Sequence, residues 1–484
     1  MKLNVINTLK KYPFMSSFIV LISLLELVPA GNYTLLNAAT YAPVKDFKLI
    51  VPGITYFFEP FIGIPVYLST NHYIRAESIA LFIWGIFFVL LSGLLSKKYR
   101  ALPLHIAAYI LAFSLFAVYV LFTPFPLFQC VPGNNSYCLI DPHSHTFYSH
   151  DGLVSPMHNL RWHVEQGFTG GFVTDHYNIK GAIMEQDQSL MTSYKAMIGE
   201  EIKVKDDPHF FLALGMISPV AGWCPDCPST VKELADAVHK RGGALVLALW
   251  WTEGPINLES YIKDGVDAFE IANAGHKNML DAAVRETAYK VSREYHIPLL
   301  ASTDWHGWGN YAYTWTAFHI PNAAMYITPQ LQVMITSMLR NRNSGDNGKI
   351  IPIIYDYPHQ YWGTVRFVFA PFFDFYYYFS TLPFKGYVSW MVWSLLLWVS
   401  YTVYRKVHRL FFYNKPLMLP YMLFIAAGLM SLYYAMNMIA GLTFIPAENT
   451  LLLTVIYVLL FYSIGVLLIV IVWLYISTIR NKPR

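Results

Sequence analysis

Hydrophobic and polar positions fall into two regimes along the chain. Six stretches of roughly 20 or more mostly apolar residues occur at about 14–30, 77–96, 102–125, 386–404, 416–441 and 450–477. Each is long enough to cross a bilayer as a helix. Two weaker stretches lie near 49–69, with Glu59, Pro52, Pro60 and Pro65, and near 364–382, with Arg366, Asp374 and several tyrosines. Charge is costly at a bilayer centre, so both read as interfacial or re-entrant. Between 138 and 310 the pattern changes to short apolar runs: Cys138–Asp141, Gly171–Asp175, Ala196–Ile202, His209–Gly215, Ala244–Leu249, Ala268–Ala272 and Pro298–Ser302. Stretches such as 155–167, 230–241 and 278–295 separate them, with apolar residues recurring at three- and four-residue steps. Buried strands alternating with helices predict a parallel sheet. Seven such strands form a compact α/β barrel, with an open doubly wound sheet as the alternative. The expected fold is therefore a polytopic α-helical membrane protein with an inserted α/β domain. Its divisions are a membrane region of about three spans at 1–128, the insert at 129–348, an interfacial segment at 349–385 and a second membrane region at 386–484.

Charge sharpens this division. Only 13% of the 484 residues are charged and 55% are hydrophobic, against about 25% charged in soluble domains. Residues 141–350 hold 23 acidic and 16 basic residues and 12 of the 16 histidines. The remainder holds 18 basic and 7 acidic residues. With six spans and a cytoplasmic N-terminus, the inner pieces 1–13, 97–101, 405–415 and 478–484 collect 13 of those 18 basic residues and no acidic one. That is the expected bias of cytoplasmic loops. It places both termini inside and the insert on the extracytoplasmic face of a cell membrane. Four cysteines, Cys130, Cys138, Cys224 and Cys227, fall on that outer side. Disulfides 130–138 and 224–227 suit an oxidising compartment better than free thiols do, with half of a zinc site or a redox motif as the alternative for Cys224-Pro-Asp-Cys227.

The polar residues of the insert gather at the ends of the predicted strands. His143 and His145 follow the first run, and Asp175-His176 closes the second. Glu200-Glu201 ends the third, His209 opens the fourth, and Asp304 and His306 follow the seventh. In a barrel these ends converge on one rim, where active sites lie. Imidazole and carboxylate together favour Zn, Mn or Fe over an all-oxygen Ca or Mg cage. His158, His163, His239 and His296 fall in helical stretches and read as packed core residues.

Taken in chain order, Asp141-Pro-His-Ser-His-Thr, Ser149-His-Asp-Gly, Val173-Thr-Asp-His176, Gly199-Glu-Glu-Ile202, His209-Phe-Phe-Leu-Ala-Leu-Gly215, Phe269-Glu-Ile-Ala-Asn273 and Ser302-Thr-Asp-Trp-His-Gly307 resemble the motifs of the PHP (polymerase and histidinol phosphatase) superfamily of metal-dependent phosphoesterases. The resemblance covers about 138–345. It implies a distorted seven-stranded barrel with two or three divalent ions, a first held by His143, His145, Glu201 and Asp304. Glu201 would bridge to a second bound by His209. A third would use His176, His306 and either His150 or Asp151. One position departs from the family pattern: Leu249 stands where a His or Cys ligand is common, with His276 as a possible substitute. Adjacent metals lower the pKa of bound water and hold phosphoryl oxygens. Asp304 or Asp175 would manage protons, Lys180 would pair with phosphate, and Trp250, Trp251, Trp305 and Trp308 would shape a pocket. Combined with the apolar spans, the resemblance leads to the expectation of a membrane-anchored phosphoesterase acting on a phosphorylated small molecule or a lipid-linked phosphate. No nucleic-acid partner is expected, because the acidic insert has no basic stripe to track a backbone. A transporter or channel, or a metal-binding sensor without catalysis, is the alternative. The main spans offer the transporter reading only Glu26 and His105 as internal ionisable groups.

Overall fold

The computed structural model describes residues 35–50, 53–69, 74–95, 102–122, 129–220, 228–249, 252, 255–273, 280–307, 312–342, 349–355, 364–382, 384–411, 449 and several positions between 452 and 460. Its strands are β1 (Leu35–Asn37), β2 (Phe47–Ile50), β3 (Gln129–Pro132), β4 (Tyr137–Ser144), β5 (Gly170–Val173), β6 (Lys195–Lys203), β7 (Phe210–Leu214), β8 (Ala244–Ala248), β9 (Ala268–Asn273), β10 (Leu299–Ser302), β11 (Thr314–His319) and β12 (Ile350–Tyr355). Ten of them form one sheet in the order β1-β12-β11-β4-β5-β6-β7-β8-β9-β10, while β2 and β3 pair separately.

The sheet curls until its far edge returns to its middle. Thr316 Oγ1 on β11 donates to Ala301 O at 2.6 Å and accepts from Ala301 N at 2.8 Å. Thr314 Oγ1 donates to Ser302 O at 2.6 Å. Threonine side chains thus replace the missing backbone ladder between β10 and β11. Alternate residues of the strands point inward and meet: Ile140, Phe172, Met197, Leu212, Leu214, Val246 and Leu300 share one cluster with Leu331, Ile335 and Leu339 of helix Thr328–Arg340. A second cluster covers the outer face, where helices Val231–Lys240, Leu258–Lys263 and Ala282–Tyr295 pack. The helices start where their caps dictate. Ser155 precedes Pro156 at the first helical position, and Thr230 and Asp281 each accept backbone N–H groups.

Three expectations are corrected here. Each of the seven predicted runs carries a strand, but the sheet has ten members and is not a seven-stranded parallel barrel. β7 runs antiparallel to both β6 and β8, because residues 204–209 are too few for the crossover that a parallel pair needs.

The membrane frame is corrected as well. Among the described residues no helix is long and apolar enough to cross a membrane. The stretches at 14–30 and 416–441, and nearly all of 450–477, lie outside the described residues. Those at 77–96, 102–125 and 386–404 fall in helices Ile74–Leu95, Leu102–Phe122 and Phe384–Phe411. A hydropathy window counts apolar residues without knowing what covers them, and part of this apolar surface is spent between helices. Trp84 Nε1 donates to Val368 O at 2.6 Å, Tyr109 OH donates to Leu81 O at 3.1 Å, and the rings of Phe82 and Phe113 lie 5.2 Å apart. Ile79, Ile83, Leu94 and Leu95 stay exposed. The polytopic fold class falls with this finding. So does the extracytoplasmic placement, which depended on counting spans.

The 130–138 disulfide does not form either, since Cys130 and Cys138 are buried free thiols. They belong to different packing clusters, Cys138 to the interior and Cys130 to the side that holds Trp162 and Trp315. Burial pushes both thiols above their ordinary range, that of Cys138 up to about 12. Only the thiolate reacts readily. Neither cysteine should therefore be alkylated by iodoacetamide at neutral pH until the chain is unfolded, as peptide mapping by mass spectrometry would show. Labelling of either in the native chain would contradict this packing. Cys224 and Cys227 lie outside the described residues.

Candidate metal centre

Four chain segments deliver the polar side chains to one end of the curled sheet. β4 ends in His143 and Ser144, with His145 immediately beyond, and β6 carries Glu201. His176 follows β5 and bridges to Glu201 through the backbone. Asp304 and His306 follow β10. The first and last of these ends are tied together: Asp304 N donates to His143 O at 2.8 Å, and His145 N donates to Trp305 O at 2.9 Å. Asp304 takes a positive φ of 49°, a left-handed conformation that Asp tolerates better than most residues.

The donors sit at coordination spacing. His143 Nε2 and His145 Nε2 are 3.0 Å apart. Asp304 Oδ1 lies 3.1 Å from each. Glu201 Oε2 lies 3.3 Å from His143 Nε2 and 3.2 Å from His145 Nε2. Ligands about 2.0 Å from a tetrahedral ion stand about 3.3 Å from one another, so the atoms of His143, His145 and Asp304 are spaced as three ligands of one ion, with Glu201 Oε2 beside both imidazoles. Asp304 Oδ1 has no hydrogen-bond partner although it is fully buried. Its nearest polar neighbours are the Nε2 atoms of His143 and His145. The donor set fits a divalent ion of the Zn, Mn or Fe kind.

A second group lies alongside. Asp151 Oδ2 is 3.2 Å from His306 Nε2 and 3.5 Å from His176 Nε2. With His145 these three form another cluster able to hold an ion. The ring of His145 stacks on that of His306 at 4.1 Å, and Glu201 Oε2 reaches within 3.4 Å of His176 Nδ1. His145 and Glu201 therefore stand between the two groups.

Burial and charge oppose each other in this cluster, and charge prevails. Burial disfavours protonated His145, yet Asp304 and Glu201 push it up to about 10. His143 is likewise raised against its burial by Asp304, Glu270 and Glu201. Burial would raise the carboxyls, but neighbouring imidazoles hold Asp304, Glu201 and Asp151 well below the usual carboxylate range. Carboxylates and imidazoles this deeply buried are costly unless they pair with one another or hold a metal.

The remaining expected site residues are placed differently. His150 is 57% exposed at its side chain and lies against the ring of His176, outside both donor groups. His209 is on the same rim, because antiparallel β7 begins there. Its ring is nevertheless engaged elsewhere: Nδ1 faces Asp207 Oδ1 at 3.0 Å and Nε2 faces Thr252 Oγ1 at 3.0 Å. The bridge from Glu201 to a His209-bound ion is absent from this arrangement, and Leu249 is buried in the outer core. Asp175 does not face the centre. Its two oxygens accept from Thr146 N and Thr146 Oγ1, each at 2.7 Å, so it holds the histidine loop in place. Lys180 is exposed at the start of helix Lys180–Ser189 and belongs to neither donor group. Trp305 stacks on Trp162 at 4.3 Å inside the core. Trp250, Trp251, Trp308 and His276 lie outside the described residues.

Three supporting residues were not singled out from the sequence. Glu270 Oε1 holds His143 Nδ1 at 3.0 Å and accepts from Ser302 Oγ. This leaves the Nε2 lone pair of His143 facing the centre, the usual role of a carboxylate behind a metal-binding histidine. Asp141 accepts from Thr303 N at 3.0 Å and binds His163 Nε2 at 2.8 Å. Ser149 Oγ donates to Asp151 Oδ1 at 2.8 Å. The sequence signal, for Glu270 and Asp141, was a carboxylate inside an otherwise apolar strand. His163 has the buried, hydrogen-bonded place expected of a core histidine.

Fold and site together define a curled α/β sheet bearing two adjoining groups of metal-type donors at one rim. No family model matches the chain, and no curated protein matches it. Among solved structures, one assigned as a metal-dependent phosphoesterase from Bifidobacterium adolescentis is 17% identical, covering 35% of this chain and 88% of that one, with a TM-score of 0.31. A two-domain protein from Bacteroides vulgatus containing a predicted PHP-like metal-dependent phosphoesterase is 16% identical over 45% of this chain and 65% of that one, TM-score 0.34. An amidohydrolase from Chromobacterium violaceum, with bound sulfate and no metal, is 13% identical over 34% and 87%, TM-score 0.29. These likenesses are too slight to decide fold family or activity, which leaves the side chains themselves as the basis for function.

Proposed function

We propose that the chain is a metal-dependent phosphoesterase acting on a phosphorylated small molecule, with the rim centre of segment 129–348 as its active site. The observation that carries this is the set of donor atoms from His143, His145 and Asp304 at 3.0–3.1 Å from one another, with Glu201 Oε2 at 3.2–3.3 Å from both imidazoles. Asp151, His176 and His306 adjoin them as the donors of a second ion. Divalent ions held there supply Lewis acidity and positive charge for a phosphoryl group. The chain's own part is positional. Glu270 and Ser149 orient ligands, Asp141 and Asp175 fix the loops that carry them, and the apolar interior keeps the base of the site dry.

The test is metal analysis of purified full-length chain loaded with Mn or Zn, followed by a panel of phosphomonoesters, phosphodiesters and amides. About two ions per chain and turnover of a phosphoester are expected. A fully loaded chain that cleaves only amides, or nothing, would sink the proposal.

A further inference from the structure

The loop carrying Asp151 is held by a residue almost 300 positions away. Asn449 is fully buried. Its Nδ2 donates to Phe147 O at 3.1 Å, Ser149 O at 2.8 Å and Gly152 O at 2.5 Å. An amide nitrogen has two hydrogens, so three carbonyls of one tight turn share them. Those carbonyls span the segment from 147 to 152, which contains Ser149 and Asp151. The ends of the turn are fixed by bonds from Ser149 N to Thr146 O at 2.9 Å, Phe147 N to Val154 O at 2.7 Å and Leu153 N to His306 O at 2.8 Å. The bond that closes it around Asp151, from Gly152 N to Ser149 O, is by contrast long at 3.4 Å. Gly152 also sits so close to Thr146 O that a Cβ would stand 1.9 Å from it.

The other end of the amide faces its own segment. Asn449 Oδ1 accepts from Leu452 N at 2.9 Å, the bond of a helix N-cap. Leu452 and Ile456 then pack with Phe147 and Leu153 from either end of the same turn. One side chain thus joins a C-terminal helical segment to the segment that aims Asp151 at His176 and His306.

We infer that Asn449 is a positioning residue for the second metal, and that the Asp151 group reaches coordination geometry only while Asn449, Leu452 and Ile456 are docked against the turn. The inference rests on the metal-centre reading above. The first group, His143, His145, Glu201 and Asp304, is held by β4, β6 and β10 and does not depend on Asn449. It therefore serves as an internal control.

The decisive variant is Asn449→Ser in the full-length chain. Serine caps a helix about as well as asparagine but is too short to gather three carbonyls. Hydrogen exchange in the metal-free chain should rise about tenfold or more across 147–153 and stay unchanged in β6 and β10. After Mn loading, the variant should bind its second ion at least about tenfold more weakly than the parent, and the spin-coupled Mn pair signal should give way to that of a single Mn. Leu452→Ala, which loosens the docking without touching the amide, should shift both readouts in the same direction by less.

Wild-type exchange with an intact coupled pair in Asn449→Ser would overturn the inference, reducing Asn449 to a helix cap. So would loss of both ions with faster exchange throughout, which would mark a general structural role. If the parent chain itself binds no metal, the proposed function fails, and the exchange comparison still decides whether Asn449 holds the turn.

Discussion

Replacing His145 with alanine is expected to remove both ions and to lower phosphoesterase kcat/KM by at least about 10³-fold, more than loss of a single supporting group would cost. His145 belongs to both donor groups. Its Nε2 lies within 3.2 Å of His143, Glu201 and Asp304, and its ring stacks on His306. Without it the first group keeps three donors, but two of them are carboxylates that lose half of the imidazole charge between them. The second group loses one of its four donors and the ring stacked on His306. Metal content by atomic emission and steady-state kinetics on the same preparation measure the effect. His150→Ala is the matched control, a histidine on the same rim whose side chain is more than half exposed, and it should change kcat/KM no more than a few-fold. If His145→Ala kept two ions and near-parental activity, the donor atoms described here would not be the centre.

Much of this centre could be read from residue order, because its ligands obey local rules. His143 and His145 leave the end of a strand two residues apart, as do Asp304 and His306, and Glu201 is one of two adjacent glutamates buried in a strand. What escaped is what depends on packing over distance. Glu270 is legible as an odd acidic residue in β9, yet only the fold shows that it backs His143. Asn449 carries no local signal, since an asparagine before an apolar run is an ordinary helix cap and its three acceptors lie about 300 residues upstream. The direction of β7 was hidden because periodicity gives strands but not their polarity, although the short 204–209 link contained the answer. Hydropathy misled most. The stretches that suggested spans hold apolar residues in the right number, but number alone does not say whether Trp84 faces lipid or the backbone of Val368. His209 shows the converse. Its place in a family motif suggested a ligand, while Asp207 two residues earlier and Tyr261, whose hydroxyl donates to Asp207 Oδ2 at 3.0 Å, hold its ring in another set of bonds.

The affinity of the first group for a divalent ion should rise about tenfold per pH unit between roughly pH 6.5 and 9, with about one proton released for each ion bound. The cause is the facing pair of imidazoles. At 3.0 Å their Nε2 atoms leave room for one proton between them, and Asp304 and Glu201 hold that proton tightly, His145 being pushed up to about 10. An incoming ion needs both lone pairs and must displace the proton. The metal-free chain should show the opposite trend. A histidine whose folded pKa is raised stabilises the fold fully below its unfolded value near 6.5, and that stabilisation is lost as pH climbs toward 10. The depressed carboxyls of Asp304, Glu201 and Asp151 stabilise the fold above their unfolded values near 4, and their contribution is lost as pH falls. Stability without metal should therefore be greatest between roughly pH 4.5 and 6.5, while the gain in Tm on adding metal should grow steadily from pH 6.5 to 9. Calorimetric titration in buffers of differing ionisation enthalpy counts the released protons, and paired melts with and without metal follow the stability. A pH-independent affinity, or a metal-induced gain in Tm that shrinks over that range, would mean that the two imidazoles do not share a proton and do not face a common ion.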